Sequence, residues 1–261
     1  MTSGNGKGRD IVLKTDKVTI RFGGLTAVNQ LDMAVAAGEI YGLIGPNGAG
    51  KTTIFNLLTG VYEPTSGEIY FEEKRIDGKR PYEIAHCGVS RTFQNIRLFP
   101  GMSVLENVMT ACHIHTRQNL FDAVIRSPRF ERDERRHRDF SLELLEIFEL
   151  ANLRDEGGTS LPYGKQRRLE IVRALATRPK LLLLDEPAAG LNPSEQEDLM
   201  TLIQQIRDRF GLTILLVEHN MKVVMGVCER IQVVDYGKSI ALGVPDEIKN
   251  DPKVIEAYLG D

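Results

Sequence analysis

The chain has 261 residues, 42% hydrophobic and 26% charged, with a net charge of −3, enough length for a large core in one or two lobes. The slightly acidic balance excludes bulk attraction to nucleic acid, and no apolar run approaches the ~20 residues that span a bilayer. Residues 1–10 are polar and glycine-rich without the apolar stretch of a leader, which predicts a flexible tail. Cys87, Cys112 and Cys228 are scattered without metal-ligand spacing and read as reduced, buried cysteines.

Val12 to Phe22, where Val18, Ile20 and Phe22 alternate with Thr19 and Arg21, predicts a half-exposed strand. Gly23-Gly24 turns the chain, and Leu31, Met33 and Val35 alternate again before Ala37-Gly38. Ile40 to Ile44 is apolar enough for a buried strand. It runs into Gly45-Pro46-Asn47-Gly48-Ala49-Gly50-Lys51-Thr52, which fits the phosphate-loop pattern G-x-x-x-x-G-K-[ST] at every fixed position. Thr52 to Thr59 then presents Ile54, Phe55, Leu57 and Leu58 as a helical face, with Gly60 as its stop. Strand, glycine loop and helix together let backbone N–H groups and a helix N-terminus surround phosphate oxygens. Lys51 is placed to neutralise β- and γ-phosphates and the Thr52 hydroxyl to hold Mg²⁺, with Thr53 a further nucleotide-binding residue. The competing reading is a chance glycine-rich turn, and the context on both sides counts against it.

Gly67 to Phe71 and the Asp77-Gly78 turn predict a further hairpin in the same antiparallel β region. Val89 to Phe93 is a short strand ending at Gln94. From there to about Thr159 the pattern is helical, with a capping box at Ser103-Val104-Leu105-Glu106. Residues 126–139 are dense in Arg, Glu and Asp and read as a solvated helical surface or loop. Phe140 to Leu150 is amphipathic, and Gly157-Gly158 breaks it. A helical subdomain at about residues 95–165 is thus inserted in an α/β core. Leu161 to Gln166 leads into a helix that carries Leu169, Val172 and Ala176. Leu181 to Leu184, apolar at every position, reads as a strand buried on both faces of a parallel sheet. Asn192-Pro193-Ser194-Glu195 caps the next helix, and Thr213 to Val217 is another buried strand. A hairpin around Tyr236-Gly237 and a helical tail over residues 246–259 close an α/β architecture.

The chemistry gathers at strand ends. Asp185 and Glu186 follow the four leucines at the sheet edge where α/β folds bind ligands. Asp185 is placed to organise Mg²⁺ through its water shell, and Glu186 to orient and deprotonate a water attacking the γ-phosphate. His219 ends the Thr213–Val217 strand, where it can reach the γ-phosphate or the Glu186 backbone. Gln94 has the same geometry, although pattern alone makes it an ordinary polar residue.

In order, the chain carries Phe22, the phosphate loop, Gln94, Leu161-Pro162-Tyr163-Gly164-Lys165-Gln166, Leu181 to Glu186, Ala189-Gly190-Leu191-Asn192 and His219. This series resembles the nucleotide-binding subunit of an ABC transporter over nearly the whole chain. The resemblance implies a P-loop NTPase (RecA-like) fold, with residues 11–261 forming one ABC-type ATPase domain that uses ATP and Mg²⁺. It implies that Phe22 stacks on adenine, that Gln94 senses Mg²⁺ or water and couples to the membrane partner, and that His219 meets the γ-phosphate. It also implies that Leu161 to Gln166, standing where L-S-G-G-Q belongs, closes over ATP held by the phosphate loop of another subunit. Ala189 to Asn192 stands where the D-loop, which lies between two such subunits, belongs.

Arg21-Phe22-Gly23-Gly24-Leu25, Arg91-Thr92-Phe93-Gln94, Tyr163-Gly164, the run from Asp185 to Pro193, the polar insert between His115 and Phe140 and the terminal Ala257-Tyr258-Leu259-Gly260 are similar to the importer ATPases for branched-chain amino acids, nearest to the first of their two ATPase types. The implied partners are a second ATPase subunit (identical or related), two transmembrane permease subunits and, indirectly, a periplasmic or surface substrate-binding protein, with no nucleic acid. The implied location is cytoplasmic, on the inner face of the plasma membrane. The alternatives are an importer for another amino acid or small polar solute, a soluble P-loop kinase, or a non-transport ABC protein acting on DNA or ribosomes. Three departures stand out. Pro162 replaces the signature serine and offers neither hydroxyl nor N–H, while Tyr163 replaces the first signature glycine. The D-loop ends in Asn192 instead of Asp.

Overall fold

The computed structural model describes residues 10–115 and 127–259; the tail expected over residues 1–10 lies outside them except for Asp10, as do part of the polar insert and Gly260. β1 (Ile11–Phe22) and β2 (Leu25–Ala36) pair antiparallel around Gly23-Gly24. β3 (Ile40–Ile44) leaves this lobe, and α1 (Lys51–Leu58) follows it. β4 (Ser66–Phe71) and β5 (Lys74–Arg75) return to complete a four-stranded sheet in the order β2-β1-β4-β5.

The β4–β5 hairpin corrects one expectation. Its turn is Glu72-Glu73, both in left-handed backbone with φ 47° and 62°, not Asp77-Gly78. Asp77 instead accepts a hydrogen bond at Oδ1 from the Ile69 N–H, 2.9 Å away, and so ties the returning chain to β4. Two glutamates lack the Asn-Gly chemistry that announces such a turn.

After α2 (Pro81–Cys87), β6 (Val89–Arg91) enters the second sheet. β6 is shorter than Val89 to Phe93 because the Phe93 N–H turns away to Glu170 Oε1 at 3.1 Å. The helices α3 (Val104–Cys112), α4 (Pro128–Ile147) and α5 (Tyr163–Ala176) pack on one another. The capping box forms at Ser103 and Glu106. The charged stretch starts α4, whose first turn is capped by Ser127. β7 (Leu181–Asp185), α6 (Pro193–Phe210), β8 (Thr213–Val217), α7 (Met221–Val227), β9 (Arg230–Asp235) and β10 (Lys238–Gly243) follow. The tail is two helices, α8 (Pro245–Asn250) and α9 (Pro252–Leu259), parted at Asp251, whose extended backbone is what a following proline demands.

The six-stranded sheet runs β10-β9-β3-β8-β7-β6, parallel from β9 to β6 with β10 antiparallel at one edge. Alternate leucines of β7 serve different cores: Leu181 and Leu183 pack with the β lobe and α1, Leu182 and Leu184 with the helices. Each such buried leucine stabilises the fold by about 1.5–3 kcal/mol. Burying both faces of β3, β7 and β8 fixes their C-terminal ends side by side. The polar residues that follow them therefore share one edge. Cys112 and Cys228 are buried as expected, whereas Cys87 is only half-buried.

Candidate functional site

β3 delivers the chain into Gly45–Gly50, and α1 leaves from it. A Cβ on Gly45 would stand 2.0 Å from the Val234 carbonyl oxygen, and one on Gly50, at φ 100°, would stand 2.7 Å from that of Ala27. Only glycine lets this loop wrap so closely on the backbones of β9 and β2, and the Gly237 N–H, in the turn between β9 and β10, donates to the Ala49 carbonyl at 3.0 Å. Asn47 and Gly48 are exposed, Pro46 and Ala49 buried. The α1 N-terminus has no side-chain cap and no acidic residue in its first turn, so its amides and dipole face outward for an anion. Lys51 is buried and donates from Nζ to the carbonyls of Gly45 at 2.6 Å and Pro46 at 2.8 Å. Burial pushes its pKa down, opposed by the nearby carboxylates of Glu186 and Asp185. Thr52 is exposed and Thr53 half-buried at the same helix end.

Asp185 is 3% exposed at the end of β7. Its Oδ2 lies 2.6 Å from a terminal nitrogen of Arg91, which also donates to Asn56 Oδ1 at 2.7 Å. The Asp185 N–H donates to Thr92 Oγ1 at 3.1 Å. Next to it Glu186 takes φ 46°, a left-handed conformation that costs a non-glycine residue roughly 1–2 kcal/mol. Its N–H bonds the Val217 carbonyl at 2.9 Å. Two predicted site residues converge on the carboxylate, where His219 was expected at the γ-phosphate or the Glu186 backbone: Gln94 Nε2 donates to Oε2 at 2.9 Å, and His219 Nδ1 stands 3.6 Å from the same oxygen. Gln94, Glu186 and His219 follow three separate strands, β6, β7 and β8, and meet at one carboxylate.

The signature region begins as a loop and ends as a helix, because Pro162 is the N-cap of α5 and Tyr163 its first residue. Lys165 and Gln166 both donate their N–H to the Pro162 carbonyl, so the amides left for a ligand, among the described hydrogen bonds, are those of Tyr163 and Gly164. Gln166 Nε2 donates to the Thr159 carbonyl at 3.1 Å and the Leu161 carbonyl at 2.7 Å, holding the loop's entry. Tyr163 lies so close to Gly190 that a Cβ there would meet its ring at 2.9 Å, which joins the signature to the D-loop. Asn192 caps α6 together with Glu195. Phe22 is 44% exposed and meets Tyr62 edge to face at 5.2 Å, leaving ring surface open to solvent.

Three residues of the site escape sequence reasoning. Arg91 is the cation that meets buried Asp185. Arg167, 1% exposed, donates to the Phe93 carbonyl at 2.8 Å, the Gln94 carbonyl at 2.9 Å and Glu170 Oε2 at 2.9 Å, tying α5 to the loop that carries Gln94. Glu218, fully buried, accepts from the N–H groups of Ala188 at 2.7 Å, His219 at 3.2 Å and Asn220 at 3.3 Å. It links the chain before the D-loop to the histidine. The available signal was that each charge sits in or beside an apolar run, where a partner is compulsory.

The ABC transporter family profile matches residues 28–189, and that of the branched-chain amino acid ATP-binding cassette transporters matches residues 238–261. Over 250 residues the chain is 47% identical to a high-affinity branched-chain amino acid transport ATP-binding protein, LivG, of Salmonella typhimurium, covering 96% of this chain and 98% of that one. It is 45% identical to the corresponding protein BraF of Pseudomonas aeruginosa, with the same coverage. Among solved structures, the ADP conformation of an ATP-binding cassette of an ABC transporter superposes with a TM-score of 0.82 at 31% identity, covering 97% of this chain and all of that one. A dimeric bacterial ABC transporter cassette superposes at 0.75 with 26% identity, over 89% and 98% of the two chains. The glycine cradle, the acid pair beyond β7 and the matches over nearly the full length agree: the chain is an ATPase of the ABC transporter ATP-binding cassette family and belongs to its branched-chain amino acid transport branch.

Proposed function

We propose that this chain hydrolyses ATP to drive import of branched-chain amino acids (Leu, Ile, Val), working as one of two cassettes on a pair of permease subunits at the inner face of the plasma membrane, fed by an external substrate-binding protein. The observation that carries the catalytic part is the meeting of Gln94 and His219 on the Glu186 carboxylate beside the phosphate loop. The family relatives named above support the substrate, and the dimeric neighbour supports pairing of cassettes. No helix among the described residues is long and apolar enough to cross a membrane, in keeping with a protein that docks on membrane partners.

Within this reading the loop amides and Lys51 hold the β- and γ-phosphates, and Phe22 offers its exposed ring to adenine. The Thr52 hydroxyl, the Asp185 carboxylate and the Gln94 amide oxygen fit the oxygen donor set that Mg²⁺ takes. Mg²⁺ would supply charge neutralisation between the phosphates. Glu186 orients the attacking water and takes its proton, with His219 and Gln94 fixing the carboxylate. Residues 11–261 act as one domain, with the helical subdomain at about 95–165 carrying the signature to the partner's nucleotide. Because Pro162 donates nothing, the signature's contribution comes from the Tyr163 and Gly164 amides at the α5 N-terminus. Whether the second cassette is identical or related sets how many such loops the dimer has.

The test is reconstitution with the co-purified permeases in proteoliposomes and uptake of labelled leucine. ATP-dependent uptake that Lys51→Ala abolishes is expected. Uptake unaffected by Lys51→Ala, or co-purification without permeases, contradicts the proposal.

A further inference from the structure

Away from the nucleotide site, where α3 ends beside the first half of α4, His113, Glu134 and His137 bring one ligand atom each to within 4.8 Å of one another. His113 is the C-cap of α3, and its Nε2 lies 3.4 Å from Glu134 Oε1. Glu134 and His137 are three apart on α4 and so share one face of that helix. The two imidazoles stand edge to face at 5.0 Å. Nδ1 of His137 is buried without a hydrogen-bond partner among the described residues. A buried imidazole nitrogen with no partner is costly unless something comes to it.

We propose that His113, Glu134 and His137 form a binding site for a divalent transition metal ion, zinc above all, that staples α3 to α4. Two imidazole nitrogens and one carboxylate oxygen are a donor set that zinc accepts, with solvent in the remaining position. The imidazoles disfavour Mg²⁺ and Ca²⁺, which take oxygen ligands. The other charges nearby are Asp133, which favours a cation, and Arg178, which opposes one and whose guanidinium rests 4.4 Å from the centre of the Phe140 ring. Such a staple would brace the helical region without touching the phosphate loop.

The full chain, freed of tags and stripped with chelator, is titrated with Zn²⁺ by calorimetry in excess Mg²⁺, and with Co²⁺ while visible absorption is recorded. Wild type should bind one more equivalent of Zn²⁺ than His113→Asn/His137→Asn, show the Co²⁺ d–d bands of a nitrogen-liganded ion, and melt higher with Zn²⁺ than without. Glu134→Gln, which keeps both imidazoles and the helix, should weaken binding by at least about tenfold, the least that losing even an outer-shell partner costs. Equal Zn²⁺ stoichiometry and affinity in wild type and Glu134→Gln, or a Zn²⁺-induced melting shift that persists in His113→Asn/His137→Asn, overturns the site.

Discussion

Gln94 donates its side-chain N–H to Glu186 Oε2 at 2.9 Å, although 92 residues separate the two. The bond joins the loop after β6 to the acid after β7, and Arg167 holds the same loop through the Phe93 and Gln94 carbonyls. A movement of α5 is therefore transmitted to the carboxylate by direct contacts. Gln94→Ala should lower kcat by about one order of magnitude, the cost of a hydrogen bond to a charged group, while nucleotide affinity changes little. Steady-state ATPase kinetics together with equilibrium binding of a fluorescent nucleotide separates the two effects. A loss confined to affinity contradicts this role.

Arg91 and Asp185 form an ion pair in which both side chains are under 10% exposed. Removing one partner strands the other charge. Arg91→Met should destabilise the fold by about 3–5 kcal/mol, read as a lower urea midpoint. Arg91→Met/Asp185→Asn should recover part of that loss, because it no longer leaves a buried carboxylate alone. Equal midpoints for the single and double variants would count against the pairing.

The apolar strands, the phosphate loop, both capping boxes and the acid pair were legible because each has a local signature: periodicity, glycine spacing or a cap three residues from its partner. Gln94 was expected directly at the end of a strand over Val89 to Phe93, but β6 stops at Arg91 and Gln94 lies in the loop beyond it, while His219 lies just past β8; the meeting of both on Glu186 follows from the parallel order of β6, β7 and β8. Arg91, Arg167 and Glu218 were not legible. A charge beside apolar residues is the whole of their local signal; their meaning lies in burial and in contacts far along the chain, Arg91 with Asp185, Arg167 with the Phe93 and Gln94 carbonyls, and Glu218 with the Ala188 N–H. The Glu72-Glu73 turn was missed for a different reason. The β4–β5 pairing and the Asp77 bond impose left-handed backbone on residues that do not favour it.

Pro162 caps α5 without a side-chain hydrogen bond. Its φ of −54° and ψ of 149° suit a serine N-cap as well. Pro162→Ser should stabilise the protein by about 0.5–2 kcal/mol and supply the signature loop with a hydroxyl. A higher melting temperature with ATPase activity at or above wild type is expected. A lower melting temperature would show that the proline's rigidity matters more than the cap.

Burial pushes the Glu218 carboxyl above its ordinary range, with the Ala188, Asn220 and His219 amides opposing the shift. In the unfolded chain it ionises near pH 4.3, about the model-peptide value. Just above that pH the folded protein keeps a proton that the unfolded chain has released. The stability contributed by this group therefore falls as pH rises from there through the folded pKa, and then levels off. The stability of wild type relative to Glu218→Gln, from urea midpoints between about pH 4 and about pH 7, should decline with pH. A flat or rising difference contradicts the assignment.

The central claim is that Glu186 activates the attacking water. The most direct measurement is ATP turnover by Glu186→Gln in the assembled transporter, beside wild type, with nucleotide binding measured on the same samples. Binding should persist while hydrolysis falls by at least about 100-fold, the contribution of a positioned general base. Hydrolysis at the wild-type rate would contradict the account.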